Sequence, residues 1–495
     1  MRKLLVFIIL ALVTISVSCR KNRDFSNSPS LNISLSKDTI TFDTVFTAVG
    51  SSTRILMIYN KNSENLKINS IRLGGGASSP FSINVDGQPG HIFIDKEIYG
   101  DDSLYVFIKV TINPNDENAP FFIEDSLIFN TNGNEKVARL IAFGQNVNYI
   151  IGENTISKII GTDTIKFKNC YSITNSTNTD VHWTSEKPYV IYNTALIDSD
   201  GTLTIEPGAR IYFHKGAGLW AWSEGQLIVD GTAENPVVFQ GDRLEPFYTD
   251  QPGQWDRIWL MEAREGHGHS INHAIIRNGF IGLQIQRMLK DNMAPTYINN
   301  TIIENHTGMG VYANCYSIGM SNLLIDNCGN YCVALTGGGD YLLTHSTIAN
   351  YWTGSARKAE ALFFNNYYND PTDGNTYAIQ FNCEINNSIV YGNKNNEFGT
   401  DFYSRPDTTY VFRNSLICTR RAHSDSTLFA SCLFNKTPNF LNTSDFNFHL
   451  DSLSPAIGLG NPNYAVGSLR FDLDGIDRGD SPDAGAYQHV YTPER

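Results

Sequence analysis

The chain is 495 residues long with a formal charge of −13 at pH 7. Hydrophobic residues make up 41% of it, which excludes a disordered chain, and the acidic balance argues against a nucleic-acid partner or an anionic membrane surface. Only 18% of residues are charged, and 40 Gly with abundant Asn, Thr, Ile, Tyr and Phe supply strands and turns, so an all-β chain of two or more domains is expected.

Arg2 and Lys3 precede an apolar run at residues 4–17. That run is too short and wrongly flanked for a transmembrane helix, so residues 1–18 are expected to be a secretory signal peptide. Ser16-Val17-Ser18-Cys19 resembles the lipobox of bacterial lipoproteins, with Ser16 where Leu is usual. The resemblance implies cleavage before Cys19 and a diacylglycerol on its sulfur. Residues 19–30 then form a lipidated tether. Arg20 in place of Asp implies the outer membrane, at its cell surface or periplasmic face. The other seven cysteines are scattered and odd in number, which suits small buried hydrophobes better than a disulfide framework or a zinc site.

Between residues 31 and 146, apolar and polar residues alternate in short runs at 40–42, 45–46, 54–60, 66–71, 104–110, 125–129 and 137–143. About seven strands at this spacing describe a β-sandwich. Segments 43–46, 59–71, 79–83, 111–116 and 142–145 resemble the immunoglobulin-like domains of the abnormal-spindle and hydin group. The resemblance implies a spacer or docking module.

From about residue 200 a repeat takes over. The strings at 271–278, 298–305, 320–327, 343–350, 385–390 and 412–417 align, and their third positions are His273, Asn300, Asn322, His345, Asn387 and Asn414. The gaps are 27, 22, 23, 42 and 27 residues, the longest reading as two coils. One strand per unit, with no helical pattern and no fixed Leu positions, means a right-handed parallel β-helix over residues 201–490, including a terminal cap. The six corner residues are expected to form a structural ladder up the stack. Residues 147–200 are expected to bridge the domains and cap the first coil.

Segments 203–214, 227–243 and 252–260 resemble the right-handed parallel β-helix superfamily typified by pectate lyases. More narrowly, they are similar to β-helix lipoproteins of Bacteroidetes-type bacteria. Residues 454–457 and 472–488 resemble the choice-of-anchor Q ending found after such helices. These resemblances imply a fold but no settled activity.

The chemistry is less legible. A polysaccharide lyase needs a cationic base and neutralisation of a uronate. Arg277, Lys290, Asp291, Asp326 and Asp340 offer such groups without a family motif. A glycoside hydrolase needs two carboxylates flanking a bond. Asp242, Glu245, Asp250, Asp256 and Glu262 offer many pairs and specify none. Catalytic residues are therefore left unassigned.

Residues 240–273 read as a long inserted loop. It gathers Phe247, Tyr248, Trp255 and Trp259 with Asp242, Arg243 and Arg257, while Trp220 and Trp222 lie one coil earlier. Aromatic faces beside charged hydrogen-bonders suit sugar rings, so Trp220, Trp222, Asp242, Arg243, Tyr248, Trp255, Arg257 and Trp259 are the candidate ligand-binding residues. Packing of the loop onto the helix flank is the competing reading. His267, His269 and His273 are spaced for a metal only if they share one strand and turn. Asp472, Asp474, Asp477 and Asp483 offer carboxylates to calcium, but Gly475 falls at position four where an EF-hand loop needs it at six. Pairing with Arg478 is preferred there, and no metal or cofactor is expected. The functional expectation is an envelope-anchored lipoprotein whose β-helix binds glycans or another envelope or extracellular protein. The alternative is a polysaccharide lyase or glycoside hydrolase acting on a complex or acidic glycan.

Overall fold

The computed structural model describes residues 24–490 apart from 116–117, 119, 161–162, 289–293, 370–373, 404–407 and 422–424. The expected signal segment at residues 1–18, Cys19, Lys290 and Asp291 lie outside the described residues. The chain divides after Asn146 into two compact units.

In the first unit, period-two alternation produces two sheets around one core. One runs Phe25–Ser26, Asn65–Leu73, Phe121–Thr131, Asn134–Gln145 and Thr39–Phe46, with Ile92–Ile98 also on Asn65–Leu73. The other runs Ser34–Leu35, Arg54–Asn60, Asp102–Val110, Phe81–Val85 and Gln88–Gly90. In Asp102–Val110, Leu104, Val106, Ile108 and Val110 are buried while Tyr105 and Phe107 face outward. Each such buried aliphatic stabilises by about 1.5–3 kcal/mol.

The second unit is a parallel β-helix. Its coils lay two strands on a nineteen-stranded sheet and a third on a ten-stranded one. One coil comprises Ser270–Asn272, Ala274–Arg277 and Gly279–Gln286; the next comprises Thr296–His306 and Met309–Asn314. Successive coils pair in parallel, so Ile271 stacks on Ile298 and Ile276 on Ile303 inside a continuous apolar core. Parallel rungs sit about 4.8 Å apart.

The six corner residues all have left-handed backbones, with φ between 46° and 57°. Asn and His tolerate this region better than β-branched residues, and the corner turns the strand without ending the ladder. Asn322 Nδ2 donates to Asn300 Oδ1 at 2.8 Å and Asn387 Nδ2 to His345 Nε2 at 3.0 Å. Burial and the nearby Arg478 lower the His345 pKa to about 2, which keeps that nitrogen an acceptor. The column is not continuous. Asn300 reaches Asn272 rather than His273, and Arg478 occupies Asn322 Oδ1. A second corner column at Asn278, Asn305 and Asn327 also has positive φ, and Asn305 Nδ2 donates to Asn278 Oδ1 at 2.8 Å.

Two expectations about the coils need correction. The 42-residue gap from His345 to Asn387 is one coil, because Gly339–Thr344 pairs directly with Phe381–Asn386 and Thr347–Asn350 with Ile389–Gly392. The extra length leaves the coil as loop and as the hairpin Tyr367–Asn369/Thr376–Ala378. The stack also starts before residue 201. Asn148–Ile151 pairs with Tyr189–Tyr192, which pairs with Arg210–Phe213, so residues 147–200 supply rungs as well as the antiparallel hairpin Asn154–Ile160/Asp163–Ser172.

The C-terminal segment runs along the outer flank as a strap. Phe448, Ala486 and Tyr487 cover Leu324 and Ala349, while Leu450, Ala456 and Ala484 cover Ile389 and Leu416. Arg478, 2% exposed, donates to Asn322 Oδ1 at 2.8 Å and to the Ala486 carbonyl at 3.1 Å. Burial lowers its pKa to about 10 against the opposing pull of Asp472 and Asp483. Those two carboxyls also bind backbone amides, Asp472 those of Asp474, Ile476 and Gln488, and Asp483 those of Gly458 and His489.

Candidate functional site

The inserted loop is shorter than expected. Trp255–Leu260 is a rung of the ten-stranded sheet, and Ser270–Asn272 belongs to the other. A register shift between Arg257 and Ile258 breaks the period-two alternation, so Trp255 and Ile258 both face inward and Trp259 outward. Trp255 is 1% exposed, stacks on Phe213 at 4.3 Å between ring centres and donates its indole N–H to the Arg277 carbonyl at 2.8 Å. It is a core residue, not a ligand platform. Trp222 is also buried, packed among Leu196, Met261 and the Phe167 ring.

The other six candidates fall on two separate faces. Trp220 and Trp259 are register partners on adjacent rungs, half-buried, with ring centres 5.1 Å apart edge to face. Neither indole N–H has a hydrogen-bond partner among the described residues. In register the column continues through Gln284, Tyr312, Ala334 and Phe363, of which Gln284 and Ala334 are buried. Arg257 stands beside it, its Nε about equidistant at 3.0 Å from both Asp256 oxygens and its guanidinium 5.5 Å from the exposed Phe280 ring.

Asp242, Arg243 and Tyr248 lie at the edge of the nineteen-stranded sheet. Arg243 pairs with Glu245 at 2.9 Å and covers one face of Tyr248 at 4.0 Å, so that ring face is already occupied. Asp242 Oδ2 meets His214 Nδ1 at 2.7 Å, and His214 stacks on Tyr192 at 4.4 Å. Burial raises the Asp242 carboxyl, opposed by the His214 hydrogen bond. Burial and Asp242 also raise the Tyr192 phenol. His214 and Tyr192 escaped the sequence reading because they reach Asp242 only across coils; a period-aligned column through His214 and Asp242 was the available signal.

The carboxylates that offered possible pairs disperse. Glu262 is fully buried and accepts from Ser223 Oγ at 2.6 Å and the Met288 amide at 2.7 Å. Asp340 is exposed on Asn382. Asp326 is paired in register with Glu304, which lies 3.9 Å from Arg277. Burial raises both carboxyls, and Glu304 raises Asp326 further. The three histidines also separate in role. His269 is buried between the Leu227 amide and the Met261 carbonyl, with its pKa lowered to about 4 by burial, while His267 bonds its own loop. Among the described residues no cluster of three His, Cys, Asp or Glu is placed to hold a metal ion, and the seven cysteines are free thiols.

These features define an all-β protein that joins a β-sandwich to a parallel β-helix with a strapped flank. No family model and no curated protein matches the chain. Among solved structures it is similar to the catalytic unit of a GH87 α-1,3-glucanase from Streptomyces thermodiastaticus, at 10% identity over 77% of this chain and 88% of that one, with a TM-score of 0.26. It is also similar to the PapD-like domain 7 of human CEP192, at 13% identity over 26% of this chain and 95% of that one, TM-score 0.17. A family 123 glycoside hydrolase from Clostridium perfringens matches at 10% identity over 24% of this chain, TM-score 0.19, and the chain spans 27% of that hydrolase.

Proposed function

We propose that this chain is an envelope-anchored lipoprotein, tethered at the outer membrane through Cys19, whose β-helix binds glycans while the sandwich serves as spacer or docking module. The observation that carries the glycan reading is the outward pair Trp220 and Trp259 on adjacent rungs, continued by Tyr312 and flanked by Arg257. Aromatic faces about one rung apart stack on the C–H faces of sugars, while both indole N–H groups are turned inward and buried. Such surfaces on solenoids are commonly the binding ones. A glycan array with the mature protein tests the reading. The Trp220→Ala/Trp259→Ala double variant should lose a bound glycan with its fold retained. An unchanged array profile in that variant would remove the site.

A hydrolase or lyase is the second reading, favoured by one observation. Asp242 carries a burial-raised carboxyl in direct contact with the exposed His214 imidazole. A carboxyl raised by burial can donate a proton to a glycosidic oxygen, one of the two roles that such hydrolysis requires. Incubation with neutral and acidic polysaccharides, read for new reducing or unsaturated ends, tests it. Activity that survives Asp242→Asn would refute this assignment.

A further inference from the structure

Two adjoining clefts, of about 550 and 560 Å³, open beside the last coils and share Lys394, Asn395, Arg420 and Arg421. Lys394 follows the rung Ile389–Gly392 and Arg420 follows Leu416–Ile417, which pairs with it, so the cations stand at one corner of consecutive coils. The loops that carry them are pinned. Asn396 Oδ1 accepts the Arg420 amide at 2.9 Å, Asn435 Oδ1 accepts the Thr419 amide at 2.9 Å, and Cys418 Sγ donates to the Lys394 carbonyl at 3.3 Å.

Lys394 and Arg420 are placed there with no ion pair among the described residues. Lys394 Nζ bonds the carbonyls of Lys358 and Ala359. Arg421 bonds Thr400 and lies 5.4 Å from the Phe398 ring. Arg420 is exposed and its guanidinium has no partner among the described residues. Glu360 is the one carboxylate among the described lining residues. A surplus of cations converging on a cleft is unexpected in a chain of charge −13, because like charges are normally dispersed or paired.

We infer that this cleft binds a sulfate or phosphate ester carried on a glycan. A planar carboxylate is satisfied by one guanidinium fork, whereas a tetrahedral oxyanion presents three oxygens that cations from two coils can meet together. Phe363 forms one wall and is in register with Trp259 four rungs or about 19 Å away, with buried Gln284 and Ala334 between them. The saccharide carrier rests on the glycan reading above; the anion specificity rests on the cleft alone.

The test measures binding of dextran sulfate, polygalacturonate and neutral dextran to the mature protein, with inorganic sulfate as competitor. Dextran sulfate should bind best, weaken with added NaCl and be displaced by sulfate. Arg420→Glu should weaken it about tenfold or more, the scale of one lost charge-assisted hydrogen bond, at an unchanged melting temperature. Arg421→Gln supplies a second variant, read with circular dichroism because Arg421 also packs on Phe398. Equal binding of all three polymers overturns the inference. So does dextran sulfate binding that Arg420→Glu leaves intact, or polygalacturonate binding as tight as dextran sulfate. A neutral glycan held through Trp220 and Trp259 without any dextran sulfate binding overturns the cleft and leaves the first reading standing.

Discussion

Replacing Trp255 by Ala separates packing from recognition. The indole is 1% exposed, stacked on Phe213 and hydrogen-bonded to the Arg277 carbonyl. Burying a Trp removes about 150–250 Å² from water, which at about 25 cal/mol per Å² is roughly 4–6 kcal/mol. Large-to-small changes of this kind cost about 3–5 kcal/mol, and the orphaned Arg277 carbonyl adds to the loss. Trp259, half-buried two residues past the register shift, should cost only about 1–2 kcal/mol as Ala. Urea denaturation followed by far-ultraviolet circular dichroism reads both variants. Trp255→Ala should shift the midpoint strongly and leave glycan binding by the surviving folded protein unchanged. A loss below about 1 kcal/mol at Trp255, or an equal loss at Trp259, would refute the assignment of inward and outward faces.

Asn322→Leu should cost about 1–3 kcal/mol in the same assay, since it removes the bond to Asn300, strips Arg478 of an acceptor and puts Leu at φ 57°; an unshifted midpoint would refute the corner role. The Asp326 carboxyl is raised by burial above its unfolded value, so its contribution is full below the ordinary carboxylate range and is lost as pH rises through the folded value. Asp326→Asn should therefore flatten the fall in stability toward neutral and alkaline pH, and parallel pH profiles for variant and wild type would exclude that origin. Cys19→Ala should leave the melting temperature alone and move the protein to the aqueous phase of a detergent partition; continued detergent-phase recovery would sink the lipid anchor.

The coil period was legible because each rung needs apolar residues pointing inward and each corner needs a residue that tolerates positive φ, and both requirements recur in the sequence at His273, Asn300, Asn322, His345, Asn387 and Asn414. The second corner column at Asn278, Asn305 and Asn327 stood in the same aligned strings and went unread. What sequence cannot display is where an excursion leaves the coil. The hairpin Tyr367–Asn369/Thr376–Ala378 has the texture of a rung, so one coil read as two. Trp255 was misplaced for a similar reason. Without the register shift after Arg257, strict alternation puts Trp255 and Trp259 on one face, and only the neighbouring rung reveals the slip. The placing of Lys394 and Arg420 at one corner of consecutive coils, or the pairing of His214 with Asp242, is likewise a property of stacking.

The strap changes how such a stack comes apart. A plain solenoid unravels from either end, because each coil answers only to its neighbours. Here Arg478 is tied to Asn322 across 156 residues of chain, and Ala486 to Thr347 across 139. These ties lay the strap across the coils between Asn322 and Leu416, so opening any of them also costs contacts with the strap. They also set an order of assembly. The upstream coils need only local rungs, whereas the bracketed coils are uncovered on that flank until residues 448–487 have been added to close it.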